Sequence, residues 1–155
     1  MKRWDAKSYK QRGEWVELQF MAAAASHGYR VLSPWGDSMA YDAVVDQGGG
    51  FLRVQVKSTE VRLGNGYLCQ FRHGCGEKRG YEAGELDLFA AFVIPVGVWY
   101  LIPAVRVLEP TQKGALMLCP MVESKKRQER FKYEEYREAW GLLRRGRRRL
   151  GRHTG

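Results

Sequence analysis

The stretch YDAVVDQGGGFLRVQVKST, residues 41–59, predicts two β-strands joined by a glycine turn. Apolar and polar residues alternate on both sides of the glycines, as is typical of a β-hairpin. Turns of two or of four residues give the same register, in which Asp42 pairs with Gln55 and points to the same face. Alternation along the strand adds Arg53 and Lys57 to that face, while the apolar residues between them point the other way.

The segment from Tyr9 to His27 predicts a helix that ends at Gly28. At about 100° per residue, Glu17 falls in the middle of the apolar face of this helix. A carboxylate that faces a core is costly unless a cation or hydrogen-bond donors satisfy it. The structural alternative is that the Glu17 side chain bends toward solvent at the edge of the apolar face, or pairs with an internal lysine. Glu14, on the flank of the same face, is a second candidate for the role.

Three polar groups thus converge across two strands: the Asp42 carboxylate, the Gln55 amide and the Lys57 ammonium. Glu17 could complete this set. Carboxylate and amide oxygens are hard ligands that suit Mg²⁺ or Mn²⁺. A lysine beside the metal could orient or deprotonate a water, or offset charge on a phosphate. A simple Lys57–Asp42 ion pair on a solvent-facing sheet also fits the spacing. Neither a nucleophile with a nearby base nor a nucleotide-binding glycine motif is evident, so the sequence favours metal-assisted hydrolysis.

The rest of the chain predicts an α/β or α+β domain with one central mixed sheet flanked by helices. Residues 74–85 form a polar, glycine-rich stretch that predicts a long loop. Residues 66–73 are expected to extend the sheet, and residues 129–143 predict an amphipathic helix. Further strands are predicted at 29–35, 86–95, 98–103 and 115–122.

The net charge of +9 is unevenly distributed along the 155 residues. From Lys125 onward, twelve Lys and Arg face four Asp and Glu, which gives +8 of the total of +9. A nearly neutral body with a basic end suggests a polyanionic partner, most often nucleic acid. A solvated tail that aids solubility explains the basic end equally well.

Several classes of protein are disfavoured by the sequence. No apolar run reaches membrane-spanning length, and the N-terminus lacks an apolar signal core, so we expect a cytoplasmic protein without a membrane partner. The three cysteines lack C-x-x-C spacing, which argues against a disulfide framework. Cys69, His73 and Cys75 match no standard zinc site, and free thiols are expected.

In these residues the chain resembles the PD-(D/E)XK nuclease superfamily. The pattern is a helix glutamate, a strand aspartate in "YDAVVD" and an acid-x-lysine position occupied by "QVK". It is most similar to the small bacterial endonucleases associated with group I introns, which also carry Gln in place of the second acid. The likeness extends from about Gly13 to Leu143. Tyr41 stands where the family nominally has proline, which is a mild departure.

The resemblance implies a restriction-endonuclease-like core and assigns roles to five residues. Asp42 would be the central metal ligand, Gln55 the second ligand and the backbone carbonyl of Val56 a third. Lys57 would position the water or the scissile phosphate. Glu17 would reach the metal directly or through water. Because Gln55 replaces an acid, the site carries one negative charge less, and metal affinity is expected to fall unless Glu17 contributes.

The function implied is a Mg²⁺-dependent DNA endonuclease of the homing type, in which Mn²⁺ can substitute. The alternatives are a structure-selective resolvase, a repair or restriction-type nuclease, and a non-cleaving DNA-binding protein with the same fold. Double-stranded DNA as substrate implies a homodimer or homotetramer, since each chain holds one site. Residues 1–143 would form the nuclease domain and 144–155 a basic tail. The candidate DNA contacts are Arg62, Arg72, Lys78, Arg79, Arg144, Arg145, Arg147 and Arg148.

Overall fold

The computed structural model describes residues 8–36, 38–71, 84–108, 114–121 and 131–144. Eight strands and two α-helices are present in this part of the chain. In chain order they are α1 (Tyr9–Ser26), β1 (Arg30–Leu32), β2 (Ala43–Asp46), β3 (Phe51–Thr59), β4 (Arg62–Leu63), β5 (Gly66–Gln70), β6 (Leu88–Val93), β7 (Val98–Pro103), α2 (Ala104–Val107) and β8 (Ala115–Leu118).

The central sheet has five strands in the order β1-β2-β3-β6-β7. Its hairpin has the predicted register, because Ala43 pairs with Val54 and Asp46 with Phe51. The turn is closed by the Gln47 N–H donating to the Gly50 carbonyl at 2.9 Å. Strands β3 and β6 are parallel, whereas the other neighbours are antiparallel, so the sheet is mixed. The α+β architecture with a central mixed sheet is confirmed.

Helix α1 begins where the Ser8 hydroxyl accepts a hydrogen bond from the Gln11 N–H at 3.1 Å. Its buried residues recur every four positions, which places them on one face. That face packs on the side of the sheet that carries Val54 and Val56. The helix ends before Gly28, whose φ of 85° is a conformation that glycine adopts readily. The buried face is formed by Val16, Phe20 and Ala24.

A second, three-stranded sheet covers the other face of the central sheet, in the order β4-β5-β8. Tyr67 and Cys69 of β5 and Leu116 of β8 share a core with Phe89 of β6. The prediction that residues 66–73 extend the central sheet is wrong in its described part, residues 66–71, because β5 pairs with β4 and β8 instead. Strand β6 occupies the free side of β3, so the central sheet has no position there for β5. Within the described ranges, no helix has the length and apolar content needed to cross a membrane.

The predicted amphipathic helix over residues 129–143 is also wrong within its described part, residues 131–143. The segment holds two short 3-10 helices, Glu134–Tyr136 and Trp140–Leu143, and Arg137 between them is extended. The apolar residues recur at helical spacing, but Tyr133 and Tyr136 pack in the core on one face of the central sheet, whereas Trp140 and Leu143 pack in the core on the other face. Tertiary contacts therefore override the helical periodicity.

The carboxylate of Glu138 explains why the helix breaks. Its two oxygens accept the Trp99 backbone N–H and the Trp140 indole N–H, each at 2.7 Å. The Glu138 N–H in turn donates to the Trp99 carbonyl at 2.8 Å, and Arg137 forms a β-bridge with Tyr100. Glu138 adopts a φ of 51°, which ends any regular helix at this point. The segment thus covers the outer edge of β7.

Candidate active site

The candidate site lies at a notch in the central sheet where β2 begins. The Asp42 N–H donates to the Val54 carbonyl at 2.9 Å, and this is the last backbone contact between the two strands at this end. Val56 lies two residues beyond Val54 in β3, so its backbone N–H and C=O point to the same side as those of Val54. At Val56, however, β2 has not yet begun, and no strand within the described residues lies opposite these groups. The Asp42 carboxylate fills part of the gap and accepts the Val56 N–H at 2.8 Å.

Gln55 brings its side-chain amide into the same notch. Its Nε2 donates a hydrogen bond to Oδ2 of Asp42 and lies 3.5 Å from the Val56 carbonyl oxygen. The side chain is 5% exposed, so its polar atoms depend on these partners. The pairing of Asp42 with Gln55, predicted from the hairpin register, is confirmed by this contact. A carboxylate, an amide and a backbone carbonyl therefore meet at one point.

Glu17 approaches the notch from the opposite side of the sheet, because α1 packs on the Val54 and Val56 face. The prediction that it lies in the middle of the apolar face is wrong: the buried face is centred on Phe20, and Glu17 is half-buried on its flank. The helix wheel misplaces it because it counts Met21, on the far side of Glu17, with the apolar face, whereas Met21 is only partly buried. The flank position turns the carboxylate toward the edge where β2 begins.

The pKa of Glu17 is raised from its ordinary value of 4.5 to about 7. Burial is the largest cause, followed by the negative charges of Asp42 and Glu14, while the positive charge of Lys57 opposes the shift. These electrostatic effects show that Glu17, Asp42 and Lys57 share one neighbourhood. Lys57 is half-buried on the predicted face of β3. The structure thus brings together the four predicted side chains.

Arg53, predicted on the same face, has a structural partner that the sequence analysis missed. Its guanidinium contacts both carboxylate oxygens of Asp87 at 3.0 and 3.1 Å, and its backbone N–H donates to one of them at 2.8 Å. The guanidinium lowers the pKa of Asp87, against the effect of burial. The ion pair fixes the start of the parallel pairing of β3 with β6. The sequence signal for this partner was an acidic residue, Asp87, directly before the apolar run of β6.

The predicted DNA contacts are only partly within the described residues. Arg62 is exposed in β4. Arg144 is exposed at an open cavity beside Arg30 and Gly48, at the turn end of the hairpin and therefore away from Asp42. The predicted tail 144–155 lies outside the described residues after its first residue. The other candidates outside them are Arg72, Lys78, Arg79, Arg145, Arg147 and Arg148.

The cysteines of the described region, Cys69 and Cys119, are free, as predicted, and the structure buries both. Burial raises the pKa of Cys69 to about 12, so its thiol stays protonated. His73 and Cys75, the other members of the zinc set considered from the sequence, lie outside the described residues. Among the residues that the structure describes, no three His, Cys, Asp or Glu side chains are grouped to hold a metal ion. The notch offers two carboxylates and an amide instead.

Comparisons with known proteins identify the relatives of this chain. A family model described as PD-(D/E)XK endonuclease matches residues 7–143. The solved structure of a bacterial homing endonuclease, I-Ssp6803I, is similar, with a TM-score of 0.67 and 31% sequence identity over 88% of this chain and 91% of that one. No curated protein sequence matches the chain significantly. Because the family model spans most of the chain, this protein belongs to the PD-(D/E)XK endonuclease family.

Proposed function

We propose that this endonuclease is a Mg²⁺-dependent, homing-type enzyme that hydrolyses double-stranded DNA, and that Mn²⁺ can replace Mg²⁺. The family supplies the nuclease activity, and the similar structure belongs to a bacterial homing endonuclease. One observation carries the choice of site: the Asp42 carboxylate, the Gln55 amide and the Val56 carbonyl converge at the notch. We take Asp42, Gln55, Lys57 and Glu17 as the catalytic set.

The chemistry of these donors fits a hard divalent cation. Carboxylate, amide and backbone carbonyl oxygens are the ligands that Mg²⁺ and Mn²⁺ prefer, and a Mg²⁺ site completes its octahedron with water and substrate oxygens. The proposed ligands are Asp42, Gln55 through its side-chain oxygen and Val56 through its carbonyl. Glu17 would join them directly or through a water. When bound, the cation supplies polarisation of the phosphodiester and a water of lowered pKa.

Metal ligation by Gln55 requires its amide to turn. In the structure the amide nitrogen, and not the oxygen, faces the Asp42 carboxylate and the Val56 carbonyl, so the amide would not ligate a cation there in this orientation. Half a turn about the last side-chain bond exchanges nitrogen for oxygen, because the two amide atoms are nearly equivalent in shape. Without metal, the amide N–H thus neutralises part of the Asp42 charge. With metal, the same side chain becomes a ligand.

Lys57 and Glu17 act on the reacting groups from opposite sides of the notch. The Lys57 ammonium, half-buried beside the acids, would hold a non-bridging phosphate oxygen and offset the charge that develops during hydrolysis. Glu17, with a pKa raised to about 7, can exchange a proton at neutral pH and would accept one from the attacking water. Both roles require that the side chains remain at the edge of the sheet, where DNA can reach them.

Cleavage of both strands implies more than one copy of the chain, since each copy contributes one site. We propose a homodimer or homotetramer in which two sites face the two strands of a duplex. The net charge of +9 supports binding to the phosphate backbone, and such binding weakens as salt is added. Arg62 and Arg144 are the described candidates for these contacts, and the proposed compartment is the cytoplasm.

A plasmid-nicking assay tests the proposed function. Wild-type protein is incubated with supercoiled DNA and Mg²⁺, Mn²⁺ or EDTA, beside Asp42→Asn and Lys57→Met. We expect cleavage with either metal, none in EDTA, and a loss of at least 100-fold in both variants, on the scale of lost electrostatic stabilisation. Asp46→Asn is the matched control, because Asp46 lies on the same strand and face but accepts only the turn N–H of Gly48 among the hydrogen bonds described for it.

The outcomes separate the alternatives. Equal cutting by wild type and Asp42→Asn would reject the notch as the site. Metal-independent, salt-sensitive binding without cleavage on varied DNA substrates would identify a non-cleaving DNA-binding protein. Cleavage directed by DNA shape at junctions or flaps, rather than by sequence, would identify a structure-selective nuclease and reject the homing-type assignment.

A further inference from the structure

Of the four tryptophans that the structure describes, Trp35 is the one that is fully exposed. Its side chain is 100% exposed, whereas Trp99 and Trp140 are each 5% exposed and Trp15 is half-buried. Tryptophan is among the residues most strongly buried on average, because its large apolar surface is costly in water. Trp35 also differs from these three in its position, since it lies in a loop and not against the sheet.

The Trp35 loop ends at Asp42 of the candidate site and begins close to it, after Leu32. It connects Leu32, the last residue of β1, to Asp42. Leu32 pairs with Val44, which is two residues from Asp42 in the chain, so both ends of the loop are held at the same end of β2. Trp35 is three residues from Leu32, and chain reach together with strand spacing keeps it within about 20 Å of Asp42. Along a duplex this distance corresponds to about six base pairs.

Leu32, where the loop starts, shares the face of the sheet on which Gln55 and Asp42 meet. Leu32 pairs with Val44 and Val44 pairs with Arg53, and directly paired residues share a face. Alternation along β3 places Gln55 on that face too. The second sheet packs on this face at β6 and β7, whereas Leu32, on the edge strand β1, remains 47% exposed. A duplex that presents a phosphate to Asp42 therefore comes within reach of this loop.

We propose that Trp35 is a DNA-contacting residue that positions the duplex beside the phosphate to be cut. The proposal rests on the proposed function, because the site at Asp42 fixes where the DNA lies. An indole packs on a deoxyribose, or stacks on a base where a duplex step is kinked open, without regard to sequence. We take DNA as the occupant because Trp35 lies within reach of a duplex held at Asp42, and because the chain carries a net charge of +9 that favours a polyanion.

Duplex binding by variants of Trp35 tests the proposal. Fluorescence anisotropy of a labelled duplex is measured in EDTA at several salt concentrations, with wild type, Trp35→Ala, Trp35→Phe and Val105→Ala. Val105 is the matched control, because it is 76% exposed in α2, next to the strand at the far edge of the sheet from β1. We expect Trp35→Ala to weaken binding about 5- to 100-fold, from the energy of one stacked base.

The other variants distinguish stacking from a general defect. Trp35→Phe should retain most of the affinity, because it keeps an aromatic face, and Val105→Ala should bind within twofold of wild type. The slope of affinity against salt should not change in Trp35→Ala, since no phosphate contact is lost. Its thermal unfolding should match wild type because the side chain is fully exposed. The change in tryptophan fluorescence on adding DNA should shrink in the same variant.

Two results would overturn the proposal. Trp35→Ala binding and cutting DNA as well as wild type would remove Trp35 from the DNA contacts, while leaving the proposed function intact. Unchanged affinity together with a smaller species on gel filtration would assign the indole to a contact between copies of the chain. Failure of the proposed function has a different signature: neither wild type nor any Trp35 variant would cut DNA in Mg²⁺.

Discussion

The raised pKa of Glu17 gives a stability prediction that is independent of cleavage. Between pH 4.5 and about 7 the folded protein keeps this carboxyl protonated, while the unfolded chain releases the proton. The folded state therefore binds more protons, and the free energy of unfolding falls as the pH rises through this range. Glu17→Gln has the shape of the protonated acid but cannot ionise. In this variant the free energy of unfolding should therefore lose the pH dependence that Glu17 causes.

The structure bounds the size of the effect. Raising the pKa from 4.5 to about 7 corresponds to at most about 3.4 kcal/mol. Glu17 is half-exposed, and solvent screening reduces this to about 1–2 kcal/mol. In EDTA at pH 8, Glu17→Gln should thus be more stable than wild type by about 1–2 kcal/mol. For a chain of this length, that corresponds to a melting temperature about 2–8 °C higher.

Urea unfolding at pH 4 and pH 8, with metal removed, measures this difference. At pH 4 the two proteins should be nearly equal, because Glu17 is largely protonated in both the folded and the unfolded wild-type chain there. Glu14→Gln is the control: it removes an acidic charge from the same helix at an exposed position, so its effect should be smaller at both pH values. Equal stability of Glu17→Gln and wild type at pH 8, or a variant destabilised at pH 8, would refute the argument.

Three further substitutions test the packing that holds the site in place. Glu138→Gln should destabilise the protein by about 1–3 kcal/mol in urea unfolding, because one of its two tryptophan N–H donors loses an acceptor, and the exposed Glu135→Gln should not. Gly66→Ala should cost about 1–3 kcal/mol, because a Cβ would lie 2.7 Å from the Leu118 carbonyl, and an unchanged melting temperature would contradict this. Gly13→Ala, in open space within α1, should stabilise the protein by about 0.5–1 kcal/mol, and a lower melting temperature would count against the helix.

The parts of the fold that sequence could predict are those set by local pattern. Alternation and the glycine turn determine the hairpin, and the periodicity of α1 with its terminal glycine determines the helix. The placement of β5 could not be read in the same way, since which strand lies beside β3 depends on the distant segment that forms β6. The residues around Glu138 keep a helical spacing that the structure does not use, because their contacts are with β7.

At the site, the sequence predicts one geometric relation and leaves others open. The hairpin register brings Gln55 to Asp42, and that contact is present. The side of the sheet from which Glu17 approaches could not be predicted, because it depends on which face α1 covers. The ion pair of Arg53 with Asp87 joins residues 34 positions apart through parallel pairing, which no local pattern specifies.

We propose that the Gln55 amide, the Asp42 carboxylate and the Val56 carbonyl bind one catalytic cation. Crystals of the protein soaked in Mn²⁺ and measured for anomalous scattering test this metal site. We predict one peak with Asp42, the Gln55 side-chain oxygen and the Val56 carbonyl each at about 2.0–2.2 Å, and a Gln55 amide turned from its present hydrogen bond. A soaked crystal in which the Gln55 nitrogen still faces Asp42, with manganese bound elsewhere, would contradict the account.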